Sequence, residues 1–575
     1  MAGPALVYLA LAVAFCWQLL GDPAHRVTAG NPHDHALISY LLLAEPTALL
    51  HGHNPLLLTS LNAPDGVNAM WNTGLLLPAL VMAPITLTWG GTLSFNLLLV
   101  AGLAGAATSA YTVAARITRR RVPAFLAGLV FGFSPAMTHQ AEGHLHLVFA
   151  ILLPPLLAAL FAVVSNPFRV WTSVRLGLLA AAQLLTGEEM FACTAIAGAV
   201  MLTVVGTSRP RRSLRAALPA ARGLGLAFAA FAVLAGAPLG YQFFGPRQQY
   251  GAPVRAALYH SDLAGFVTPD RLMLLHTTGS AGTAAKFPDG PVEQSAYLGW
   301  PLVVLTLLIL ARYWRDLRVR TLGVTALVLA VLSLGRRLVV AGDNTGAALP
   351  WGRLHRLPLL AALLPQRFGL LVAGLVGLML ALAVDHQLDR RPAATDPRRR
   401  LRLLSLGALC VAVLAPLAPT GLRAADRPAT PLLISGGLSH QVLPTGSTVL
   451  VLPFPTPSEP TAMSWQADDG LRWAMPGGYF VGPACRGRHC TGTAHFGAPR
   501  TATASLLSAV GRGVRRPDTV TAADAAAAVL DLRAWQADRV LVGPGPHQQQ
   551  LVAAVTALLG RSGNHIADCW LWTVR

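Results

Sequence analysis

Charged residues are scarce in this sequence, and lysine is almost absent. Asp, Glu, Lys and Arg together make up 12% of the 575 residues, whereas 54% are hydrophobic. A soluble domain normally carries about 25% charged residues. Lys286 is the only lysine. This shortage of charge excludes an ordinary soluble globular protein and indicates a chain that lies largely within a membrane.

The charges that are present are mostly arginines, and the formal net charge is +19. This excess does not indicate a nucleic-acid partner, because the arginines are concentrated in short segments between apolar runs. Short basic loops of this kind are typical of the cytoplasmic side of a membrane protein. We place five such segments in the cytoplasm: Arg116–Arg121, Arg169–Arg175, Arg209–Arg215, Arg312–Arg320 and Arg390–Arg402.

Cysteine is also rare, with six residues in the chain. Three of them lie in apolar runs, where a thiol usually serves as a small packing residue. The other three lie in the polar C-terminal part. Cys485 and Cys490 are close enough in sequence to form a disulfide if this part faces an oxidising compartment. Cys569 has no partner in that arrangement.

Several apolar runs approach the roughly 20 residues that a helix needs to cross about 30 Å of hydrocarbon. The first, Ala5–Leu20, lacks a preceding basic segment and a small-residue cleavage site, so we expect it to remain as an anchor. With the five basic segments inside, the N-terminus is predicted inside and the C-terminus outside. Eleven crossings are predicted, over residues 4–20, 92–117, 122–137, 146–164, 175–187, 190–206, 223–244, 297–312, 321–335, 368–386 and 402–420.

Two further apolar segments do not fit this alternation. Leu75–Trp89 contains two prolines and is flanked by tryptophans, which favours a helix at the outer membrane interface. We interpret Trp351–Leu364 in the same way.

Glu188 and Glu189 are adjacent acids that would be costly at the bilayer centre. We therefore place them in a turn at the outer surface, between two short spans.

The composition changes at about Arg423. Strand-like stretches at Ser447–Pro453 and Asp538–Val542 alternate with helix-like stretches at Ala522–Leu532 and Gln548–Leu559. This alternation predicts a small α/β domain. The expected fold is therefore an α-helical polytopic membrane protein, with a transmembrane domain over residues 1–422 and an extracytoplasmic α/β domain over residues 423–575.

The predicted topology places many polar side chains on one membrane face. They are acids, histidines, amides, a tyrosine and an arginine, which is a combination suited to chemistry on a polar substrate. We take them as candidate site residues: His33, Asp34, His35, His53 and Asn54 in the first outer loop, Glu142, His144 and His146 in the second, Glu188 and Glu189 in the third, Asp262, Glu293 and Tyr297 in the fourth, and Gln366 and Arg367 before the tenth span.

Asp34 and Arg367 have the side chains that lipid-linked group transfer requires. An acceptor hydroxyl is a poor nucleophile until a base takes its proton, and a carboxylate such as Asp34 can do so. The lipid phosphate that leaves needs a cation to stabilise its developing charge. Arg367, beside Gln366, offers a two-pronged guanidinium for that phosphate.

Several short sequences in the same loops resemble those of the GT-C glycosyltransferase superfamily, in an actinobacterial branch. One acid in the first outer loop, followed by an interfacial helix and a span that ends in basic residues, is similar to the GT-C arrangement. The resemblance covers residues 1 to about 420 and rests on Leu50–Pro55, Ala63–Asn68, Phe131–Pro135, Gly143–Leu147 and Glu293–Gly299.

This resemblance implies a membrane enzyme that transfers a sugar from a polyprenyl-phosphate donor to a cell-envelope glycan or glycolipid outside the membrane. The first-loop acid of the superfamily acts as base, and a second-loop acid often assists. These roles correspond to Asp34 and Glu142. The resemblance also implies inversion at the sugar carbon. Many relatives carry paired acids in the first loop, whereas histidines flank Asp34.

Simpler interpretations of the same residues stay open. Asp34 could cap the helix that begins near His35, and Glu142 could be a solvated loop acid. Glu188 and Glu189 could form an ion-paired turn, and Arg367 could anchor a span at the interface. Farther along the chain, the sequence Gly477-Gly478-Tyr479 is interpreted as a tight turn rather than a phosphate-binding loop.

Metal binding also stays open. Three His-x-His pairs occur, but such a pair shares a face only on a strand, and no strand is predicted there. Asp34 and Glu142 could together hold a hard divalent cation such as Mg²⁺ or Mn²⁺. No cofactor is therefore firmly predicted.

Two other classes of function compete with the enzyme. A transporter or flippase of lipid-linked saccharides also uses outer acids and membrane arginines, but it often has repeated halves and polar residues at mid-span. Neither feature is evident in this sequence. A non-catalytic membrane scaffold that binds glycan is the third class.

Overall fold

A computed structural model describes residues 2–72, 75–251, 253, 259–357, 360–389, 399–486 and 489–574. The N-terminal three quarters of the described chain is mainly helical. Its helices are α1 (Ala2–Phe15), α2 (Trp17–Leu20), α3 (Pro32–Leu50), α4 (Leu76–Trp89), α5 (Gly91–Thr118), α6 (Arg121–Phe133), α7 (Pro135–Gln140), α8 (Leu145–Val148), α9 (Leu153–Ser165), α10 (Val170–Leu184), α11 (Glu188–Ser208), α12 (Pro210–Phe244), α13 (Thr278–Ala284), α14 (Trp300–Arg312), α15 (Leu317–Ser333), α16 (Trp351–Leu354), α17 (Phe368–Asp389) and α18 (Arg399–Leu414).

Strands are short in the membrane part and longer toward the C-terminus. They are β1 (Arg26–Thr28), β2 (Leu57–Leu58), β3 (Val67–Asn68), β4 (Arg337–Val340), β5 (Asp343–Ala348), β6 (Ala424–Asp426), β7 (Val449–Leu452), β8 (Val481–Arg486), β9 (His489–Phe496), β10 (Arg539–Val542), β11 (Asn564–Ile566) and β12 (Cys569–Thr573). The C-terminal helices are α19 (Leu432–Ser435), α20 (Ser439–Val442), α21 (Thr461–Asp468), α22 (Ala502–Gly511), α23 (Ala522–Ala534) and α24 (Gln548–Leu559).

Each predicted span overlaps a helix of the structure. Among the described residues, seven helical segments are long and apolar enough to cross a membrane. The protein is therefore a multi-pass membrane protein. The count of eleven crossings and the positions of the two termini stay predictions. The seven segments are Gly91–Thr118, Arg121–Gln140, Leu145–Ser165, Glu188–Ser208, Pro210–Phe244, Pro365–Asp389 and Arg400–Leu417.

The helices divide into a buried centre and an exposed periphery. Of the most apolar part of Pro365–Asp389, 83% is buried, against 17% for Pro210–Phe244 and 11% for Arg400–Leu417. Helix α17 packs against α6 and α15, and α5 packs against α6 and α1. A β-carbon at Gly132 of α6 would lie 2.5 Å from the Ala107 β-carbon of α5. Small residues therefore permit the close helix contact, as is common in membranes.

Helix α12 is longer than the predicted span over residues 223–244. It has 35 residues and begins at Pro210, so it includes the basic segment before the span. At 1.5 Å per residue such a helix is about 50 Å long, which exceeds the hydrocarbon thickness. Proline at the first helical position and helix-forming Ala, Leu and Arg explain the early start.

The predicted interfacial helix over Trp351–Leu364 is wrong. The structure has a four-residue helix that ends at Leu354. The sequence has a proline at position 358, which disfavours helical backbone before it. The other predicted interfacial segment does form a helix over Leu76–Trp89, and it packs against α3 and α5.

The C-terminal part, from Arg423 onward, contains a four-stranded sheet in the order β11–β12–β10–β7. Strands β7 and β10 are parallel, and β12 runs antiparallel to β10. The structure has strands and helices at all four predicted places, but the C-terminal hairpin β11–β12 was not predicted. Leu450, Leu452, Val540 and Val542 face a cluster that includes residues of helices α22, α23 and α24.

A separate hairpin joins β8 to β9, and its backbone register places Cys485 opposite Cys490. The side chains of these two residues lie outside the part of the chain that the structure describes. Their disulfide stays a prediction. Cys569, at the start of β12, is a buried free cysteine.

Helix α3 lies between the membrane helices and the C-terminal sheet. Ile38 and Leu42 belong to the hydrophobic core of the membrane part. Leu37 and Leu41, on another face of the helix, pack in a second core with residues of the sheet and of α21. Strand β1, just before α3, pairs with β6 of the C-terminal part. The predicted first outer loop is thus the junction between the two parts.

Candidate functional site

The first turn of α3 carries Asp34. The helix begins at Pro32, and the Asn31 side chain caps it by accepting a hydrogen bond from the Asp34 backbone N–H at 3.2 Å. The Asn31 Nδ2 also donates to Asp34 Oδ2 at 2.8 Å. The interpretation of Asp34 as the helix cap is therefore wrong, because Asn31 has that role. A carboxylate in the first turn is favoured by the helix dipole.

Both oxygens of Asp34 accept hydrogen bonds from distant parts of the chain. His144 Nε2 lies 2.8 Å from Asp34 Oδ2, and the Tyr479 hydroxyl donates to Asp34 Oδ1. The Asp34 side chain is 17% exposed, so these partners replace most of its water. The contacts bring together the first outer loop, the second outer loop and the C-terminal part.

Asp34 and His144 shift each other's pKa in opposite directions. Burial alone raises the pKa of Asp34, but the hydrogen bonds and charge of His144 and Tyr479 outweigh it and lower the pKa to about 2. Burial also disfavours a charged His144. The nearby Glu293 and Asp34 carboxylates offset that effect and raise the pKa of His144 above its ordinary value. Each partner thus favours the charged form of the other.

A second group of charges adjoins this pair around Arg367. The guanidinium is buried and pairs with Glu189 through Nη1 and with Glu293 through Nη2 at 3.0 Å. Arg367 Nη1 also lies 3.1 Å from His146 Nε2. Buried charges are tolerated when they are paired in this way.

Glu293 connects the two groups. Its Oε1 lies 3.4 Å from His144 Nε2 as well as 3.0 Å from Arg367 Nη2. Its Oε2 accepts hydrogen bonds at 3.3 Å from the amides of Gln140 and Gln366. We give the name Asp34–Arg367 cluster to eight of these side chains: Asp34, His144, His146, Glu189, Glu293, Gln366, Arg367 and Tyr479.

Glu142 lies beside the cluster but has a different partner. Its Oε2 accepts a hydrogen bond from the Gly30 backbone N–H at 2.9 Å, and burial raises its pKa. A β-carbon at Gly30 would overlap the Glu142 carboxyl, so the close approach requires glycine. Glu142 thus holds the second outer loop against the turn before α3. Its catalytic role stays a prediction.

Three predicted residues of the first loop are exposed: His33, His53 and Asn54. His35 is buried, with its ring 3.8 Å from that of Phe95. Burial and the charge of Arg427 lower the pKa of His35 to about 3, so it is a neutral packing residue.

Three other candidates also lie outside the cluster. Glu188 accepts a hydrogen bond from Gln242 at 2.8 Å. Asp262 accepts hydrogen bonds from the backbone N–H groups of residues 264, 341 and 342, so it organises a loop. Tyr297 is buried and lines a small cavity with the His139–Asp270 pair.

Within the described residues, no group of three or more His, Cys, Asp and Glu side chains is arranged to hold a metal ion. His144 and His146 have rings 6.0 Å apart and nearly perpendicular, and they contact different partners. The oxygens of Asp34 accept hydrogen bonds from Asn31, His144 and Tyr479. A divalent cation between Asp34 and Glu142 stays a prediction, and no step below depends on one.

Two residues that hydrogen-bond to Asp34 were missed by sequence reasoning. Asn31 precedes a proline at the first helical position, which is a recognisable helix-start signal. Tyr479 lies far from the loop that it contacts, and the two glycines before it were interpreted only as a turn. No local pattern could have linked Tyr479 to Asp34.

The fold resembles that of a known arabinofuranosyltransferase. The arabinofuranosyltransferase AftD from Mycobacteria superposes with a TM-score of 0.52 at 14% identity, covering 100% of this chain and 39% of that one. The chain therefore shares the fold of part of that enzyme and spans 39% of its length. The archaeal oligosaccharyltransferase AglB from Archaeoglobus fulgidus has a TM-score of 0.46 at 11% identity, covering 98% of this chain and 71% of that one.

No curated protein matches the sequence. A family profile does match, and it is described as a domain of unknown function (DUF6311). The match covers residues 7–362, which is more than half of the chain. The chain therefore belongs to the DUF6311 family.

Proposed function

We propose that this protein is a membrane glycosyltransferase that moves a sugar from a polyprenyl-phosphate donor to a cell-envelope glycan or glycolipid on the outer face. One observation carries the proposal. An ionised carboxylate, Asp34, lies in a buried cluster of charges where two outer loops meet the C-terminal part. The GT-C fold supports this assignment.

In the proposed reaction, an acceptor hydroxyl oxygen attacks the anomeric carbon of the donor sugar. The hydroxyl proton passes to a carboxylate oxygen of Asp34. The bond between the anomeric carbon and the phosphate oxygen breaks, and its electron pair stays on the polyprenyl phosphate. A single displacement of this kind inverts the configuration at the sugar carbon.

The low pKa of Asp34 sets a condition on this reaction. An acid with a pKa of about 2 is always ionised but is a weak base. The acceptor hydroxyl must therefore replace one of the hydrogen bonds that Asp34 accepts, because losing a donor raises the pKa of the carboxyl. His144 then stabilises the carboxylate until the proton is transferred.

The predicted role of Arg367 in binding the donor phosphate carries a similar condition. The guanidinium already pairs with Glu189 and Glu293. A phosphate reaches the two Nη groups by replacing one of these carboxylates, whereas the buried Arg367 Nε–H has no hydrogen-bond partner among the described residues. Gln366 is buried next to Arg367 and donates to Glu293, so the same exchange releases its amide.

The proposal is tested with the full-length protein in proteoliposomes. Labelled polyprenyl-phosphate sugars are supplied, including an arabinofuranose donor because the structurally similar enzyme is an arabinofuranosyltransferase. We expect labelled glycan and free polyprenyl phosphate to form together. Movement of intact donor across the bilayer without product would instead support a flippase and contradict the proposal.

Asp34→Asn is the decisive variant. Asn is nearly isosteric and keeps the fold, but it cannot take the proton. We expect the transfer rate to fall by more than about 100-fold, which is the scale of general-base catalysis. Asp343→Asn, at an exposed hairpin position, is the matched control and should transfer like the parent. Near-normal transfer by Asp34→Asn would remove Asp34 as the base.

A further inference from the structure

A short segment of the C-terminal part, Met475–Val481, lies against the first outer loop. The Met475 backbone N–H donates to Ser60 O at 3.0 Å, and its carbonyl accepts from the Ala63 N–H at 2.9 Å. The Gly477 carbonyl accepts from the Asn62 N–H at 3.1 Å. These backbone hydrogen bonds attach the segment to the loop that leads away from α3.

The other end of the segment is held by one buried side chain. Asn72 Nδ2 donates to Val481 O at 2.8 Å, and the Val481 N–H donates back to Asn72 Oδ1 at 2.6 Å. Asn72 is 1% exposed, so water does not compete for these bonds. The segment is therefore fixed to the first outer loop on both sides of Tyr479.

Two glycines make the turn between these attachment points possible. Gly477 has a φ of +79° and Gly478 a φ of +126°, which other residues rarely adopt. A β-carbon at Gly478 would overlap the Leu61 side chain. The chain thus passes close to Leu61 and then presents Tyr479 toward α3.

We infer that the C-terminal part completes the candidate active site, with Tyr479 as the positioning residue that orients the Asp34 carboxylate. The Tyr479 hydroxyl donates to Oδ1, while Asn31 and His144 hold Oδ2. Both oxygens are therefore set by donors from three separate elements. The positioning role of Tyr479 in catalysis rests on the proposed function, whereas its hydrogen bond to Asp34 is independent of that function.

Removal of the Tyr479 hydroxyl should change how Asp34 titrates. The hydroxyl stabilises only the ionised carboxylate, so its loss raises the pKa of Asp34. Because the loss of one hydrogen bond is worth roughly one pKa unit, the midpoint should rise by about one pH unit. The remaining titratable and charged groups around Asp34 are His144, His146, Glu293 and Arg367.

The test is Tyr479→Phe in the full-length protein, with a readout that needs no activity. A carbodiimide modifies protonated carboxyls, and peptide mass spectrometry measures the modified fraction of Asp34 at each pH. We expect the variant to be modified at a pH about one unit higher than the parent. The carboxylate also loses its fixed orientation, which we expect to outweigh its gain in basicity, so transfer should fall about tenfold in kcat with the KM for the donor unchanged.

Tyr40→Phe is the matched control. The Tyr40 hydroxyl bonds to Ser60 and Gln466 at 2.8 Å each, so it joins the same two parts of the chain without touching Asp34. We expect this variant to keep the parent midpoint for Asp34. An unchanged midpoint in Tyr479→Phe, or an equal shift in Tyr40→Phe, would overturn the inference. Normal transfer by Asp34→Asn would instead contradict the proposed function alone.

Discussion

At the scale of single residues, the site is defined by the side chains that donate hydrogen bonds to its two central carboxylates, Asp34 and Glu293. Asp34 accepts from Asn31, His144 and Tyr479, and Glu293 accepts from Arg367 and two buried amides. His144 lies within reach of both carboxylates. Each buried charge therefore depends on a partner from another element, and replacing one member changes the others.

Loss of the buried Arg367 side chain should lower stability strongly. Arg367→Ala leaves Glu189 and Glu293 buried without their cation, and breaking a buried pair costs about 3–5 kcal/mol. We expect a large fall in the thermal unfolding temperature in detergent. Arg367→Met combined with Glu189→Gln and Glu293→Gln should recover most of the lost stability. No recovery in the triple variant would contradict the charge-pairing role.

The predicted donor role of Arg367 is separable from its structural role by Arg367→Lys. Lysine keeps the charge but loses the two-pronged geometry. If Arg367 binds the donor phosphate, the apparent donor affinity should fall by about tenfold in the Lys variant at near-normal stability. Titration of donor in the transfer assay measures this. Parent-like affinity would remove Arg367 from the donor site.

The pKa shifts of Asp34 and His144 should make stability depend on pH in a definite direction. The folded pKa of His144 lies above its unfolded value. The contribution of His144 to the free energy of unfolding is therefore fully present below about pH 6.5 and is lost as the pH rises through the folded pKa. The folded pKa of Asp34 is depressed, so its contribution is present above about pH 4 and is lost as the pH falls through about 2.

Thermal unfolding temperatures measured from pH 5 to pH 9 test the alkaline side. We expect the parent to lose stability above about pH 7 and His144→Gln to show a flatter profile. His33→Gln, at an exposed histidine of the same loop, is the control and should follow the parent. If the unfolding temperature falls equally with pH in the parent and in His144→Gln, the pairing of His144 with Asp34 does not contribute to stability.

At the scale of elements, α3 and the Met475–Val481 segment decide where the site lies. Helix α3 contributes to two hydrophobic cores at once, one with the membrane helices and one with the C-terminal sheet. Its first turn is therefore held from both sides. The Gly477–Gly478 turn brings Tyr479 to this same point, so the site depends on backbone conformations that few residues permit.

Gly478→Ala tests that dependence. Its β-carbon would meet Leu61, and its positive φ is strained for alanine, so we expect a cost of about 1–3 kcal/mol and reduced transfer. Gly446→Ala is the control, because Gly446 also has a positive φ, at +80°, but has open space around its α-carbon. We expect Gly478→Ala to lose more stability and more transfer activity than the control, as measured by unfolding and by the transfer assay.

At the scale of the whole molecule, a bundle of apolar helices is combined with a sheet-containing C-terminal part that packs on the first outer loop. Because the Tyr479 hydroxyl donates to Asp34, the C-terminal part must lie on the same side of the membrane as Asp34. The location of the C-terminus therefore bears on every role proposed for the site.

The prediction that the C-terminal part lies outside the cytoplasm rests on the five basic segments. A reporter that is active only in the cytoplasm, fused after Arg575, should be silent. The same reporter placed within the basic segment Arg312–Arg320 should be active and serves as the control. Strong activity at the C-terminal fusion would overturn the topology and the outer-face assignment of Asp34.

The sequence by itself determined the class of protein and the places of most helices. Apolar length and arginine placement are local properties, so they mark membrane spans without knowledge of packing. Local patterns also located the strands and helices of the C-terminal part. The helix prediction was wrong at Trp351–Leu364, where a proline follows the short helix, and at the start of α12, where helix-forming residues extend the helix before the apolar span. Hydropathy alone does not report either effect.

Only the tertiary structure decided which polar residues act together. The topology put fifteen candidates on one face, but packing selected Asp34, His144, His146, Glu189, Glu293, Gln366 and Arg367 and left the others elsewhere. It also added Tyr479, which is 445 residues from Asp34 in the chain. Such a contact is created by the docking of α3 against the C-terminal sheet, and no pattern within a short stretch of sequence specifies it.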